Sequence, residues 1–572
     1  MTATDTHLLL RAFCDELARC GMTDACTSPG SRSAPLVLAL VRESRLRCHS
    51  HIDERCAGFF ALGLAKASRR PVAIACTSGT AAAELAPAVH EAREARVPLL
   101  VLTADRPPEL RETGAGQTID QVKLYGAAAK WFFEVGVHDA GVDRLRFLRT
   151  LACRAYWTAL EGRPGPVHLN FPLREPLVPD GPLPELDDGR PDGAPFLDRA
   201  PADGRPSPVA LHRLLDALEE RPRGVVVCGR SERDPVLALA VEGFAETTGY
   251  PVLADPLSGA RRAPTAVAHY DALLRDAAFA DRQRPELVLR VGDLPTSKPL
   301  RGWLAGANEA LDIALDSERT WQDPDGATSL VVPADPATTL AEATERLERA
   351  PDAAWVDAWR RADDAAAEAS ARAIGDELSE PWVAARVGAA LPADATLFVA
   401  SSMPVRDVET FFGARDDPAR VLANRGANGI DGTVSSAYGA AAAGEGPTVL
   451  LIGDVALVHD LGGLLAGTRL KLPLAIVLLN NDGGGIFQFL PIAGETDVFE
   501  EHVATPHGLD FARAAALFGA EHELVADPAG FDAALARALD ATGTSIVEVR
   551  TDRAANVALH RRVWAEVAAA LA

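Results

Sequence analysis

The chain has 572 residues, 48% of them hydrophobic and 24% charged, which excludes a disordered protein and provides apolar content for several domains. Its formal net charge of −23 argues against nucleic acid or an anionic membrane as the main partner. No basic segment leads into an apolar stretch at the start, and the apolar runs are too short to span a bilayer, so we expect a cytoplasmic protein. The eight cysteines form no CxxC pair and are expected to be reduced and mostly buried.

Short apolar runs alternate with helix-length amphipathic stretches, the pattern of parallel sheets wrapped by helices. Strands are predicted over residues 72–78, 98–105, 224–230, 251–255, 286–293, 310–316, 395–402, 448–454 and 474–482. Residues 172–208 are rich in Pro, Asp and Gly, which predicts an irregular connection, and residues 350–382 indicate an exposed helix that leads into a new domain. We therefore predict three α/β domains, over residues 1–180, 190–345 and 375–572.

The first and third segments share a weak internal similarity. Gly79 opens a helix-like run that ends at Pro98 before a strand, and Gly453 opens a similar run that ends at Pro473 before a strand. The two intervals differ by one residue. This similarity predicts two related α/β domains on either side of a third.

Two predicted strands of the third segment deliver polar side chains to one place. Asp454 follows an apolar strand, and Asn480 and Asn481 follow the next strand along the chain. Adjacent parallel strands end at the same edge of a sheet, where ligands usually bind. Carboxylate and amide oxygens suit Mg²⁺, which also takes phosphate oxygens, and the glycines at 483–485 permit close approach of the backbone. The alternative is an ordinary strand end with a turn.

A Gly-Asp pair followed after some 25 residues by Asn-Asn resembles the diphosphate and metal motif of the thiamine-diphosphate enzymes. The resemblance implies an α/β fold of three doubly wound parallel-sheet domains, namely pyrimidine-binding (1–180), central (190–345) and diphosphate-binding (375–572). It also implies thiamine diphosphate with Mg²⁺, or Mn²⁺ as the alternative, held by Asp454, Asn481 and the Gly483 carbonyl, with Gly453 and Ser401 at the cofactor. Val455 departs from the commonest form of the motif, which is Gly-Asp-Gly.

A second motif, His-Ile-Asp-Glu-Arg, ends at residue 55 and precedes a helix of small residues. In the family, a glutamate at this position is hydrogen-bonded to N1′ of the cofactor's aminopyrimidine, and the resemblance implies that Glu54 is this catalytic group. Such a carboxyl has to lie in a dry pocket to share a proton. The alternative is an acid at a helix start, stabilised by the helix dipole.

Further motifs occur in the order of one branch of the family, which acts in menaquinone biosynthesis. They are SPGSRSAPL (28–36), TSGTA (77–81), TADRP (103–107), SSMPVRD (401–407) and NRGANGIDG (424–432). The substrates of that branch are the dicarboxylates 2-oxoglutarate and isochorismate, and arginine is the best partner for a carboxylate. The resemblance implies a substrate pocket with Arg32, Arg406, Arg425 and Lys298 as cations, Ser31, Ser402 and Gln117 as neutral donors, and Ile486 and Phe487 as apolar walls. It also implies that Ile430 holds the cofactor bent.

The resemblance implies a homodimer or homotetramer with active sites between subunits, because the glutamate and the diphosphate-binding residues of one site come from different chains. It implies no nucleic-acid or membrane partner. Two alternatives stay open at this point. One is another thiamine-diphosphate carboligase or decarboxylase that acts on a different 2-oxo acid, and the other is a non-catalytic relative.

Overall fold

The computed structural model describes residues 2–179, 181–186, 189–200, 204–231, 235–262, 264–444 and 446–572. The chain forms two compact units. The first consists of Met1–Pro201, Asn424–Gly444 and His459–Pro473, and the second of Ala202–Ala423, Glu445–Val458 and Leu474–Ala572.

The first unit is built on a six-stranded sheet in the order β2-β1-β3-β4-β6-β5, with all of its pairs parallel. Its strands are β1 (Asp24–Thr27), β2 (Arg47–Ser50), β3 (Val72–Cys76), β4 (Leu99–Asp105), β5 (Trp131–Glu134) and β6 (Val167–Pro172). The helices of this part of the chain are α1 (Ala3–Arg19), α2 (Ala34–Arg42), α3 (Glu54–Ser68), α4 (Thr80–Ala83), α5 (Ala86–Ala95) and α6 (Val142–Leu160). Every residue of β1, β3, β4 and β6 is buried, as expected for strands that helices cover on both faces.

The second unit contains two further parallel sheets. The five-stranded one has the order β11-β10-β9-β7-β8. Its strands are β7 (Gly224–Cys228), β8 (Val252–Ala254), β9 (Leu287–Val291), β10 (Leu311–Leu315) and β11 (Leu330–Val332). The helices of this part of the chain are α7 (Pro208–Glu220), α8 (Pro235–Thr248), α9 (Tyr270–Leu273), α10 (Ala277–Arg282), α11 (Lys298–Ala305), α12 (Pro336–Arg346) and α13 (Ala353–Ile374).

The other sheet of the second unit has six strands in the order β13-β12-β14-β15-β17-β16. They are β12 (Thr396–Val399), β13 (Arg420–Leu422), β14 (Thr448–Gly453), β15 (Leu474–Asn480), β16 (Glu521–Val525) and β17 (Thr544–Arg550). The helices of this part of the chain are α14 (Glu380–Ala390), α15 (Met403–Phe411), α16 (Thr433–Ala442), α17 (Asp454–His459), α18 (Leu465–Leu470), α19 (Phe511–Phe518), α20 (Pro528–Asp540) and α21 (Arg553–Ala570). Of these, α16 and α18 belong to the first unit.

The two six-stranded sheets have the same topology. Numbered within each sheet, the strands run in the order 2-1-3-4-6-5 in both cases. The connection that opens at Gly79 joins the third and fourth strands of the first sheet, and the one that opens at Gly453 joins the third and fourth strands of the other. The internal similarity of the sequence therefore reflects two domains of one architecture, and the predicted α/β fold with three parallel sheets is confirmed.

Helix α16 packs against α3 inside the first unit at a distance that only glycine permits. A Cβ at Gly63 would lie 1.9 Å from the carbonyl oxygen of Ser436, and a Cβ at Gly439 would lie 2.0 Å from that of Phe60. The Ser436 hydroxyl donates a hydrogen bond of 3.1 Å to the carbonyl oxygen of Phe59. The small residues of both helices permit this close approach.

The prediction of an exposed helix within residues 350–382 is only partly right. Helix α13 exists, but Trp355, Trp359, Ala362, Ala366 and Ala369 are buried in an apolar cluster. These positions recur at helical spacing, so one face of the helix belongs to the core and only the other meets solvent. The many charged residues of the segment concealed this apolar stripe.

Within the described residues, the expectations for the Pro-rich connection and for the thiols agree with the structure. No helix or strand is assigned between Pro172 and Pro208, as predicted for the Pro-rich connection. All eight cysteines are free, and all but the half-buried Cys48 are buried. None of the helices in the described part of the chain has the length and apolar content to cross a membrane.

Candidate active site

The loops that follow four neighbouring strands of the first sheet carry several of the motif residues. Strands β2, β1, β3 and β4 are adjacent and parallel, so the loops after them meet at one edge of the sheet. Glu54 follows β2, Arg32 follows β1, Ser78 follows β3 and Arg106 follows β4. The sheet order therefore collects residues at this edge that are distant in sequence.

Arg32 is buried and already has partners at this edge. Its guanidinium donates hydrogen bonds to the carbonyl oxygen of Leu173 at 2.8 Å and to the Glu175 carboxylate at 3.1 Å. The Glu175 side chain is mostly exposed, whereas that of Arg32 is not. A substrate carboxylate would therefore have to compete with a solvated glutamate for Arg32. The preceding Ser31 is exposed on the same turn.

Ser78 joins two further residues of the edge. Its hydroxyl donates to the Gln117 carbonyl at 2.9 Å, and the Gln117 side-chain amide donates to the Ser78 carbonyl at 2.9 Å. The Arg106 guanidinium also donates to the Ser78 hydroxyl. The pKa of Arg106 is lowered, first by burial and then by the positive charge of Arg32. The positive charges of Arg32 and Arg106 make this edge suited to a negatively charged ligand.

Glu54 is the first residue of α3, and the Asp53 side chain caps the helix by accepting from the Arg55 N–H at 2.9 Å. Burial raises the pKa of Glu54, and the negative charges of Glu84 and Asp53 raise it further. A carboxyl stabilised only by a helix dipole would have a lowered pKa. The raised pKa therefore favours the interpretation of Glu54 as a carboxyl that shares a proton over the alternative of an acid that only stabilises the helix start.

Two buried carboxylates hold the 424–432 loop and the start of the helix that follows it, within the first unit. Glu91 accepts hydrogen bonds from the backbone N–H groups of Gly426 and Ala427 at 2.8 and 2.6 Å. Asp460 accepts from the backbone N–H and the hydroxyl of Ser435 at 2.7 and 3.0 Å, and so caps α16, whose own N-cap residue is a glycine. The loop between these contacts carries the half-buried side chains of residues 425 and 430.

In the second unit, Asp454 and residues 480–483 come together at the edge of the other six-stranded sheet. Strands β14 and β15 pair so that Gly453 lies opposite Leu479, which places Asp454 beside the chain that leaves β15. The Asp454 carboxylate is buried and accepts from the Gly483 N–H at 3.0 Å. Burial raises the pKa of Asp454 above its usual range, although hydrogen bonds from Gly483 and Val455 lower it.

The two adjacent asparagines differ in one respect. The amide oxygen of Asn480 accepts from the Asp482 N–H at 3.2 Å. The amide oxygen of Asn481 is buried and has no hydrogen-bond partner within the described residues. A buried polar atom without a partner is costly unless a ligand supplies one. Among the two, Asn481 is therefore the one whose oxygen is available to a ligand.

This donor set fits a hard divalent cation. A buried carboxylate from Asp454, the amide oxygen of Asn481 and the carbonyl of Gly483 are oxygen ligands of the kind that Mg²⁺ takes alongside phosphate oxygens and water. Gly483 has φ of 140°, and a Cβ there would lie 2.4 Å from the carbonyl oxygen of Ala504, so only glycine fits. Within this structure, His507 Nε2 lies 3.3 Å from Asp454 Oδ2, and sequence reasoning did not single out this histidine.

The loop after β12 carries the other polar candidates of the second unit. Ser401 is buried, and Ser402 adopts φ of 76°, ψ of −131° as the N-cap of α15. Such a backbone conformation is strained for a non-glycine residue and is found mainly at functional sites. Arg406 donates to the Ser402 carbonyl at 2.5 Å, and Arg301 of α11 adds positive charge near it.

The remaining candidates of the second unit lie at its surface. Lys298 is exposed at the first position of α11. Ile486 is half-buried and Phe487 is 38% exposed in the 3₁₀ turn Gly485–Phe489. These side chains are accessible to a ligand. Their contacts within the described residues do not indicate which ligand that is.

Sequence reasoning missed several residues that contact the candidates or the segments that carry them. They are Glu91, Arg106, Glu380, Asp460 and His507. Only Arg106 lies inside a quoted motif, TADRP, where its charge could have been noticed. The others act on partners that are distant in sequence, so no local pattern identifies them.

The chain matches three family models in sequence order. Residues 9–124 match the N-terminal TPP binding domain of thiamine pyrophosphate enzymes, residues 192–399 the middle domain of thiamine pyrophosphate enzymes, and residues 405–549 their C-terminal TPP binding domain. The first and third matches include Glu54 and Asp454.

Curated proteins are similar to the chain over nearly its full length. One from Geobacillus kaustophilus, a 2-succinyl-5-enolpyruvyl-6-hydroxy-3-cyclohexene-1-carboxylate synthase, is 45% identical over 98% of this chain and 98% of its own. Proteins with the same name from Chloroflexus aurantiacus (98% of this chain, 96% of its own) and Myxococcus xanthus (99% and 98%) are each 44% identical.

Proposed function

Because the chain belongs to the thiamine pyrophosphate enzymes, and among them to the 2-succinyl-5-enolpyruvyl-6-hydroxy-3-cyclohexene-1-carboxylate synthases, we propose that it acts on 2-oxoglutarate and isochorismate. It decarboxylates 2-oxoglutarate and adds the remaining four-carbon unit to the ring of isochorismate by 1,4-addition. The product is 2-succinyl-5-enolpyruvyl-6-hydroxy-3-cyclohexene-1-carboxylate, in menaquinone biosynthesis.

The observation that carries the proposal is that Asp454 and Asn481 follow the carboxyl ends of the adjacent strands β14 and β15. The buried amide oxygen of Asn481 lacks a partner within the described residues, and the Asp454 carboxylate is buried beside Gly483. These groups would hold Mg²⁺, which in turn binds the diphosphate of the cofactor, with Gly453 and Ser401 near it. Mn²⁺ is the alternative cation.

When bound, thiamine diphosphate supplies the electron sink for decarboxylation and for carbon–carbon bond formation. Glu54 holds a proton between its carboxyl and N1′ of the aminopyrimidine, a role that its raised pKa supports. Ile430 would contact the cofactor from the loop that Glu91 holds. These assignments are proposals that rest on the family motif and on the surroundings of each residue.

Both substrates are dicarboxylates, so their pocket needs several fixed cations. We assign this role to the cations at 32, 298, 406 and 425, with the side chains at 31, 117 and 402 as neutral donors and those at 486 and 487 as apolar walls. The pairing of Arg32 with the exposed Glu175 supports its part, because a solvated glutamate is a partner that a substrate carboxylate can replace. Arg106 joins the set through its contact with Ser78.

We also propose that residues 1–180, 190–345 and 375–572 act as pyrimidine-binding, central and diphosphate-binding domains. The assembly is a homodimer or homotetramer in which two chains complete each active site. A cytoplasmic location accords with eight unpaired thiols. The proposed function requires neither nucleic acid nor membrane as a partner.

The test is an assay with 2-oxoglutarate, isochorismate, thiamine diphosphate and Mg²⁺. We expect CO₂ release and ring product only when all four components are present. Release of CO₂ without ring product would support thiamine diphosphate as the cofactor and would contradict isochorismate as the acceptor. Turnover of pyruvate in preference to 2-oxoglutarate would point to another carboligase, and absence of both products in folded protein would contradict the proposed function.

A further inference from the structure

Glu380 is a buried acid at the carboxyl edge of the sheet that holds Asp454. It is the first residue of α14 and is 1% exposed. One carboxylate oxygen accepts from the Asn481 amide nitrogen at 2.8 Å and from the Thr551 hydroxyl at 2.9 Å, and the other accepts from the Asn556 amide nitrogen at 2.9 Å. Three donors therefore fix the position of this carboxylate.

The hydrogen bond between Glu380 and Asn481 determines which way the amide is turned. Both oxygens of the Glu380 carboxyl accept hydrogen bonds from surrounding donors, so this group faces the nitrogen of the Asn481 amide and not the oxygen. The oxygen then lies on the other side of the amide group, buried and without a partner within the described residues. In the opposite orientation, the amide would present N–H groups to a cation, which they cannot coordinate.

The neighbouring asparagine provides a comparison within the same edge. Glu548 is equally buried and accepts from the Asn480 amide nitrogen at 2.8 Å. The Asn480 oxygen, however, accepts from the Asp482 N–H. Both asparagines are thus held by a buried glutamate, but only the one held by Glu380 has an oxygen left for a ligand.

We propose that Glu380 is a positioning residue for the divalent cation, which keeps the amide oxygen of Asn481 turned away from itself and available as a metal ligand. The inference rests on the proposed function, because it assumes that Asn481 binds the cation of thiamine diphosphate. Residues that orient metal ligands in this way raise metal affinity by about 10- to 100-fold.

The test measures cofactor binding by titration calorimetry at increasing Mg²⁺ concentrations, without substrates. The quantity compared between variants is the Mg²⁺ midpoint, which is the Mg²⁺ concentration at which half of the protein has bound thiamine diphosphate. E380Q introduces an amide that can donate to the Asn481 oxygen and so permits the wrong orientation. We expect this Mg²⁺ midpoint to rise by about 10-fold or more. The thermal unfolding midpoint without cofactor serves as the control for folding. The matched variant E548Q should leave the Mg²⁺ midpoint unchanged.

An exchange variant separates positioning from general support of the fold. E380Q combined with N481D reverses the hydrogen bond, so that the amide at 380 donates and the carboxylate at 481 keeps an oxygen for Mg²⁺. We expect the Mg²⁺ midpoint of the exchange variant to return most of the way from the E380Q value to the wild-type value. The exchange variant can be compared directly with the wild type even if E380Q alone does not fold. An unchanged midpoint in E380Q, an equal loss in E548Q, or no recovery in the exchange variant would each overturn the positioning role. Absence of Mg²⁺-dependent cofactor binding in the wild type would instead contradict the proposed function.

Discussion

At the scale of single residues, the candidate site residues were named from short sequence motifs, because catalysis and metal binding need particular side chains at particular positions. Asp454 and Asn481 are an example: each follows an apolar strand, and both strands are readable from the sequence. The choice between Asn480 and Asn481 on physical grounds needed the structure, because it depends on which amide oxygen is already used.

Glu54→Gln should reduce turnover by at least about 100-fold, because the amide cannot share a proton with the cofactor and general acid–base catalysis contributes at least that factor. Binding of thiamine diphosphate should be nearly unchanged, since the diphosphate and its cation are held elsewhere. Steady-state turnover and calorimetric binding measure the two effects. Near-normal turnover would contradict the role of Glu54.

At the scale of elements, the strands of the three sheets were predicted well wherever they form apolar runs. The strands that were not predicted are β1, β2, β5, β6, β11, β13, β16 and β17. Strands β2 and β16 are partly exposed and lack an apolar run. Strand β1, strand β6 and most of β17 are buried, but polar residues limit their apolar runs. Helix α13 was predicted as a helix, but its buried face was not. The tight contact of α3 with α16 could not be predicted from the sequence, because the two helices are distant along the chain.

Gly63→Ala should destabilise the first unit by at least about 2 kcal/mol, since its Cβ would clash with the backbone of α16 and a helix has to shift. Gly243→Ala is the matched control, because Gly243 lies inside α8 and a Cβ there would have no neighbour within 4 Å. That control should be neutral or stabilising by about 0.5–1 kcal/mol. Urea unfolding of both variants measures the difference, and equal effects would contradict the packing argument.

The cap of α16 by Asp460 should give a characteristic pH dependence. Burial raises the pKa of Asp460 to about 6, although hydrogen bonds from Ser435 oppose the shift. Because the folded pKa lies above the unfolded value of 3.8, the folded state favours the protonated acid, and this contribution is lost as pH rises from about 4 to 6.

The Asp460→Asn variant carries no charge at this position at any pH. Relative to it, the wild type should lose roughly 2 kcal/mol of unfolding free energy between pH 4 and pH 7. Urea unfolding of both proteins across this range measures the difference. A difference that does not change with pH would contradict a raised pKa at this position.

At the scale of the whole molecule, the division of active-site residues between two chains is a proposal that subunit mixing can test. Glu54→Gln and Asp454→Asn should each be inactive. If two chains complete each site, a mixed dimer keeps one site in which both residues are intact. Random pairing of equal amounts should restore about a quarter of the wild-type activity.

The mixture can be prepared by refolding the two variants together, with each variant refolded alone as the control. Activity that stays at the level of the two inactive variants would contradict a shared site and place both residues of a site on one chain.

By itself, the sequence determined the α/β class, the three sheets, the buried thiols and the motif residues, because strand periodicity and short motifs are local properties. The shared order of the two six-stranded sheets was visible only as a similar spacing of glycine and proline. The tertiary structure decided which buried acids hold the site: Glu91 on the 424–432 loop, Asp460 at the start of α16, and Glu380 on Asn481. A buried carboxylate is stable only where several donors meet it, and those donors come from chain segments that only the folded backbone brings together.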